Sequence, residues 1–575
     1  MRLPAQNSFY WADNCYSQSR MSSELPPENR AARLLFFAAL LIALAQLLWF
    51  GSKTIHEIDI DGMGYTGIAR YLKLGQFAAS INAFRSPLMS WIIALLPATD
   101  TQLVLTGKLV NIASYLACLC LLYLFTKRLW HSSVVASVAV LLFSLARGWA
   151  AVPVGAVVPD FLFAAIVLAY FMVLLRCFRV GDNRSWAYLG GFHGLAYLAK
   201  AFALPWLALC TLIAVLLSRD SWIKRAQRLA LAALVPLLVA LSWGAAMHSK
   251  YGAFTTGTQL KTNLLQWTLK AYDAPHDSKY ALLRDDTEDT DEFVVDDPMP
   301  PHSWPWSYPL RAADVAPKIL LAERRNIPLV LKEILIVITP GGLLAYLAMT
   351  WILLRGRERY GAEAQIAIVI GVATASLILA YSMLVFDMRY LFPLAPLLLA
   401  IAARFLARNG QWNYGGWRKT CLALTVLGIL VSLLYPSSPF RRITRDRQLS
   451  CYAAARLLDV RSGSQSGVRS LVTLGVGPFP ESGVGWEAGY KTAFFAGYRV
   501  TAARIFLPTP GQLPMLLADL DQAAPDAILL WGKPGDGQFI ASAEALRSRY
   551  PGNSPTTKIL DPLAGEVGAI FFTRP

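Results

Sequence analysis

Apolar residues in this chain come in long blocks rather than in alternating or one-faced patterns. The blocks run over about 33–51, 103–125, 131–147, 160–176, 187–203, 204–218, 229–247, 328–354, 363–386, 389–407 and 420–436. Most approach the roughly 20 residues that carry a helix across a bilayer. They predict a polytopic α-helical membrane protein with about eleven transmembrane helices. The run Pro87–Pro97 (PLMSWIIALLP) is too short to span and predicts a juxtamembrane helix lying at the membrane surface. Beyond residue 436 the rhythm changes. Strand-like runs at Ser470–Leu474, Ala527–Trp531 and Gly568–Thr573 alternate with helical segments at Gln512–Asp521 and Ile540–Tyr550. That alternation predicts a small C-terminal α/β domain. The expected organisation is an N-terminal segment 1–32, a transmembrane domain 33–436 with large loops 52–102 and 248–327, and the domain 437–575. The chain shows no internal repeats.

Composition agrees and adds a direction. Of 575 residues 55% are apolar and 16% charged, against about 25% charged in soluble domains. Mean hydropathy is +0.43. The net charge of +16 would point to nucleic acid in a soluble chain, but here the basic residues fall in alternate connections. With the N-terminus in the cytoplasm, the cytoplasmic connections hold Lys127, Arg128, Arg176, Arg179, Arg184, Arg219, Lys224, Arg225, Arg228, Arg355, Arg357, Arg359, Arg404, Arg408, Arg418 and Lys419. The short outer connections near 147–160 and 386–389 hold only Arg147 and Arg389. This positive-inside bias places the loops 52–102 and 248–327 and the tail 437–575 outside. No nucleic-acid partner is expected. Membrane lipids are.

Ala43-Leu44-Ala45 looks like a signal-peptidase site. About thirty polar residues precede the run, however, and it continues through Leu47-Leu48-Trp49-Phe50, so an uncleaved anchor is expected. Seven cysteines without a CxxC pair exclude a disulfide framework or a zinc module as the organising element. Gly475-Val476-Gly477 and Gly483-Val484-Gly485 do not complete a dinucleotide-binding fingerprint.

Charged residues beside a membrane are costly and are functional candidates. The loop from His56 to Leu96 opens with three acids, Glu57, Asp59 and Asp61. A helix beginning near Asp61 puts Asp61 and Tyr65 four apart on one face, with Arg70 further along. An acidic helix start that merely suits the macrodipole is the plainer reading. Lys200 stands inside an apolar run, where a lysine costs about 2.5–3.5 kcal/mol, unless Pro205 marks a helix end and the side chain snorkels. Asp160 opens a run and serves either as a cap or as a site residue. Arg389 either pairs locally with Asp387 or contributes to the site.

These residues fall in motifs that resemble a known family. Asp61-x-x-x-Tyr65, Ile68-Ala69-Arg70, Leu74-Gly75 and Arg85-Ser86-Pro87-Leu88 are similar to the first-loop signature of GT-C superfamily glycosyltransferases. The likeness is to the branch of protein O-mannosyltransferases and the lipid A aminoarabinose transferase. Val158-Pro159-Asp160-Phe161-Leu162-Phe163, Gly194-Leu195-Ala196-Tyr197-Leu198-Ala199-Lys200 and Arg389-Tyr390-Leu391-Phe392-Pro393-Leu394 match further family elements in order. The resemblance covers about residues 33–436. Two positions depart from it. Gly62 stands where the family commonly has Glu, and Arg85-Ser86-Pro87 replaces Lys-Pro-Pro.

The resemblance implies an inverting glycosyltransferase on the outer face of an inner membrane. Its donor would be a polyprenyl-phosphate-linked sugar, and its acceptor a lipid, glycan or protein hydroxyl. Asp61 would act as general base, with Asp59 assisting or binding a metal. Lys200, Arg85 and Arg389 would hold the leaving phosphate, and Asp160, Tyr65, Arg70 and Tyr390 would line the substrate. A divalent metal ion is the one cofactor left open, with Asp59, Asp160 and His248 as candidate ligands.

The loop 248–327 carries ten acids between Asp273 and Asp297 and the cluster His302-Ser303-Trp304-Pro305-Trp306. The acids read as a solvated surface. Trp304 and Trp306 either stack on sugar or anchor at the interface. Among rival functions, a secondary transporter or flippase predicts matched broken helices in two halves, and Pro340-Gly341-Gly342 has no counterpart in the first half. A glycan polymerase or ligase leaves the Asp61 loop unexplained, and a scaffold leaves Lys200 unexplained.

Overall fold

A computed structural model describes residues 27–54, 58–99, 102–146, 149–218, 220–264, 268, 312–384, 388–407 and 415–434. In the tail it describes 470–475, 491–492, 499–504, 513–532, 535–551, 556–561 and 566–572. The helices are α1 (Pro27–Thr54), α2 (Ile60–Lys73), α3 (Phe77–Ser80), α4 (Leu88–Leu95), α5 (Leu103–Trp130), α6 (Ser133–Leu145), α7 (Val152–Gly155), α8 (Asp160–Val180) and α9 (Asn183–Ala199). They continue with α10 (Ala203–Leu217), α11 (Trp222–Tyr251), α12 (Gln259–Asn263), α13 (Ala312–Ile338), α14 (Pro340–Arg355), α15 (Arg357–Ser382), a 3₁₀ turn Met388–Leu391, α16 (Ala395–Ala407) and α17 (Gly415–Leu434).

Every apolar run of the sequence is helical, but the helices differ in reach. By length and composition, α1, α5, α8, α11 and α15 can each cross a membrane. The run 328–354, expected as one span, is two helices. α13 and α14 meet at a 92° bend. The cause is local: Pro340 cannot donate to the preceding turn, and Thr339 takes a left-handed φ of 66° while its hydroxyl caps Gly342. α6, α10 and α16 are apolar but shorter, at 10–17 residues. The Pro87–Pro97 run forms the eight-residue α4, as its length required.

Small residues let the helices approach closely. A Cβ on Gly190 would stand 2.6 Å from the Ala232 carbonyl, and one on Gly341 2.1 Å from that of Cys421. These contacts join α9 to α11 and α14 to α17. Indole N–H groups find carbonyls on neighbouring helices: Trp130 bonds Ala400 at 2.8 Å and Trp206 bonds Ala373 at 3.0 Å. The basic ends lie together, where Arg179 reaches the Arg128 carbonyl and Glu363, and Arg228 pairs with Asp220. Asp160 and Lys200 mark the opposite ends of α8 and α9.

Among the described residues the tail contains a five-stranded sheet and the helices α18 (Leu513–Ala523) and α19 (Gly537–Arg549). Its strands are β1 (Ser470–Gly475), β2 (Arg499–Arg504), β3 (Ala527–Gly532), β4 (Thr556–Asp561) and β5 (Glu566–Phe572), in the order β2-β1-β3-β5-β4. β1 runs parallel to β2 and β3, while β5 is antiparallel to β3 and β4. Val472, Leu474, Ile528 and Leu530 pack on Leu516 and Leu520 of α18 and on Phe539 and Leu546 of α19. The expected strands and helices are all present. β2 and β4 are additional.

Candidate active site

The first large loop folds into α2, α3 and α4, and α2 begins where its acids lie. Asp59 is the N-cap, extended at φ −89° and ψ 166°. Its Oδ1 accepts from Gly62 N at 3.1 Å and from Val157 N at 3.2 Å. One carboxylate oxygen thus satisfies an orphan N–H of α2 and ties the helix to the segment before α8. The packing also explains Gly62. A Cβ there would lie 2.7 Å from Asp59 Oδ1 and 3.1 Å from Val157 Cβ.

Asp61 bridges two guanidinium groups. Arg85 Nη1 donates to Oδ1 at 2.9 Å and Arg389 Nη1 to Oδ2 at 3.1 Å. Arg389 also stands 3.9 Å from Asp59 Oδ2. Arg85 is set by its own turn, in which Asn82 Oδ1 accepts from Phe84 N at 2.9 Å and Arg85 N at 2.6 Å. Its guanidinium lies 5.3 Å from the Tyr65 ring centroid. Gly64 makes room for it, since a Cβ there would be 2.0 Å from Arg85 Nε. The loop is clamped from outside by α11. Lys250 donates to the Ala79 and Ile81 carbonyls at 3.0 and 2.8 Å, and Tyr251 to that of Ile81.

The two acids differ in proton affinity. Burial pushes the Asp59 carboxyl up, the neighbouring Asp61 charge adds to this, and Arg389 opposes without prevailing. Burial acts on Asp61 too, but Arg85 and Arg389 outweigh it and hold that carboxyl well below the usual carboxylate range. Both sit deep in protein yet remain open to solvent, with side-chain exposures of 29% and 37%. Burial likewise drives the Tyr65 phenol up, so it stays protonated.

A second cluster adjoins the first. Lys200 forms an ion pair with Asp160, which is only 4% exposed. Lys200 Nζ lies 5.5 Å from the Tyr390 ring centroid, and Tyr390 stacks on Tyr381 at 3.8 Å. Consecutive residues join the clusters: Arg389 reaches Asp61, and the Tyr390 ring meets Lys200. Lys200 is not within a helix, as its apolar run had implied. It is the C-cap of α9, in the break before α10, so the full cost of a mid-membrane lysine does not apply.

Not every candidate joins. Arg70 is buried in the last turn of α2, nine residues and therefore about 13 Å along the axis from Asp61. His248 is exposed in the last turn of α11. Among the described residues no three His, Cys, Asp or Glu side chains gather as a metal-ligand set. His56, Glu57, Asp387, Trp304, Trp306 and the acids 273–297 lie outside the described residues. Two residues with tertiary contacts were overlooked in the sequence. Tyr381 backs Tyr390. Lys108, 3% exposed, donates to the Thr54 carbonyl at 2.5 Å, and its place inside an apolar run was the signal.

A bundle of apolar helices with paired carboxylates and three cations gathered at one end defines a polytopic helical membrane protein. No family model and no curated protein matches the chain. Its fold does match solved structures. The crystal structure of ArnT from Cupriavidus metallidurans bound to undecaprenyl phosphate aligns with a TM-score of 0.52 and 13% identity, over 93% of this chain and 97% of that one. The apo state of that ArnT aligns with a TM-score of 0.50 and 12% identity, over 93% and 98%. The chain has the GT-C fold.

Proposed function

We propose that this protein is an inverting glycosyltransferase that moves a sugar from a polyprenyl-phosphate carrier to an acceptor hydroxyl. The observation that carries the reading is Asp61 held between Arg85 and Arg389 beside the Lys200–Asp160 pair. Such a cluster suits a reaction in which a phosphate leaves and a hydroxyl is deprotonated. The GT-C fold and the undecaprenyl phosphate bound to the ArnT neighbour support the same donor class.

In this reading the donor phosphate takes up Arg389, Arg85 and Lys200; in the free protein Asp61 is the anion for the two arginines and Asp160 for the lysine. Losing those partners raises the proton affinity of Asp61 where a base is needed. Asp61 then accepts the acceptor's O–H proton. The acceptor oxygen bonds to the anomeric carbon from the face opposite the phosphate. The carbon–oxygen bond to phosphate breaks with its electron pair, and the fixed cations stabilise the departing charge. The configuration inverts because the displacement is single. Asp59 holds α2 and balances Arg389, while Tyr65 and Tyr390 form walls. The positive-inside bias supports an inner-membrane protein with a cytoplasmic N-terminus, and with the site and the C-terminal α/β domain outside. That domain would position a lipid, glycan or protein acceptor.

The test is transfer of radiolabelled sugar from a mixed polyprenyl-phosphate-sugar pool, with Asp61→Asn and Asp59→Asn compared at equal expression. Absence of protein-dependent transfer from any carrier overturns the reading. Gly64→Ala is expected to lower transfer by about tenfold or more. Its Cβ displaces Arg85, which is 3% exposed and has no space to retreat into. The same assay shows this as a raised KM for donor.

The pH profile provides a further check. kcat/KM reports the free protein's ionisations. Asp61 stays ionised through the acid range, so an acid limb above ordinary carboxylate values belongs to Asp59. As pH falls through that limb, Asp59 takes a proton and no longer offsets the charge of Arg389. The limb is expected to flatten in Asp59→Asn, and a limb that persists there contradicts the assignment.

A further inference from the structure

The end of α15 shows how Arg389 is delivered to the site. A helix C-terminus leaves carbonyls without intrahelical partners. Here Leu379 O receives Met383 N at 3.4 Å and the Ser382 hydroxyl at 2.8 Å, and Tyr381 O receives Leu384 N at 3.2 Å. The next three carbonyls are met by side chains from distant segments. Asn326 Nδ2 donates to Ser382 O at 2.9 Å and to Leu384 O at 2.8 Å. Thr268 Oγ1 donates to Met383 O at 2.8 Å. Asn326 is 3% exposed and Ser382 fully buried, so water does not substitute for these bonds.

The clamp lies a few residues before the site. The 3₁₀ turn Met388–Leu391 follows, carrying Arg389 to Asp61 and laying Tyr390 on Tyr381. α13, which bears Asn326, also packs against that turn. The carbonyls of residues 382–384 are thus fixed from outside their own helix, five to seven residues before Arg389. We propose that Asn326, assisted by Thr268, is a positioning residue that sets where Arg389 stands against Asp61. The role assigned to Arg389 in transfer rests on the function proposed above, but the positioning itself does not.

The experiment has two readouts on the full-length protein in lipid. The first is the rate at which a water-soluble maleimide labels an Arg389→Cys variant, followed at that peptide by mass spectrometry. Adding Asn326→Leu leaves two buried carbonyls without donors and is expected to raise the labelling rate about tenfold. Thr268→Val, which removes one bond and keeps the volume, is expected to raise it less, and it serves if Asn326→Leu does not fold. Unchanged labelling in a folded variant overturns the proposal. The second readout is sugar transfer in a double-mutant cycle. Asn326→Leu is expected to lower transfer when Arg389 is present and to cost little more in an Arg389→Ala protein. Equal further loss in both backgrounds assigns Asn326 to general stability and overturns the proposal. Raised labelling in a protein that transfers sugar from no carrier keeps the positioning role and removes the proposed function.

Discussion

Asp61→Asn is expected to reduce sugar transfer by about 10²–10⁴-fold, the range lost with a general base. Two effects act together. An amide cannot take the acceptor's proton, and its single carbonyl oxygen cannot accept from Arg85 and Arg389 on two separate atoms. Arg85, a buried guanidinium 3% exposed, also loses the Asp61 charge. Asp59→Asn is expected to lose far less, because Asn caps a helix about as well as Asp and keeps an oxygen for Gly62 N and Val157 N. Single-turnover transfer with saturating donor separates the two variants. The same large loss in both would mean that the pair acts as one unit and that Asp61 alone is not the base.

The second large effect is on stability. Lys200→Met removes the partner of Asp160, whose side chain is 4% exposed. A carboxylate left buried without its cation costs roughly 3–5 kcal/mol. Lys200→Met is therefore expected to lower the unfolding temperature in detergent markedly, read by tryptophan fluorescence. Asp160→Leu added to Lys200→Met is expected to recover most of the loss, because it removes the stranded charge. Transfer activity is not expected to return in the double variant. Recovered stability without activity distinguishes a phosphate-holding lysine from a purely structural ion pair.

Parts of the site were legible because they are local. Asp59 and Asp61 at the start of α2, and Tyr65 one turn on, follow from the spacing of polar and apolar residues. Gly62 did not read as structural, because its reason is the Asp59 cap packed together with Val157, far along the chain. Arg389 and Asp61 are 328 residues apart in sequence, and no pattern in either segment encodes their meeting. Asn326 and Tyr381 carried no signal for the same reason. In the tail, β1, β3 and β5 announced themselves as apolar runs. β2 and β4 are the edge strands, and sequences such as Arg499–Arg504 carry charges that blunt an edge and hide its periodicity.

The sequence by itself determined the membrane class, the places of the helices, the side to which the basic connections fall and the loop that holds the acids. Those features depend on burial of apolar length and on neighbours within a turn or two, so they are written in consecutive residues. Only the tertiary structure decided that α13 turns 92° away from α14, that Lys200 stands in a helix break, that Arg70 lies away from Asp61, and that Arg85 and Arg389 share one carboxylate. The shared carboxylate is a contact between segments distant in the chain, fixed by the packing of whole helices; the bend, the break and the place of Arg70 are backbone geometry that residue type alone does not display.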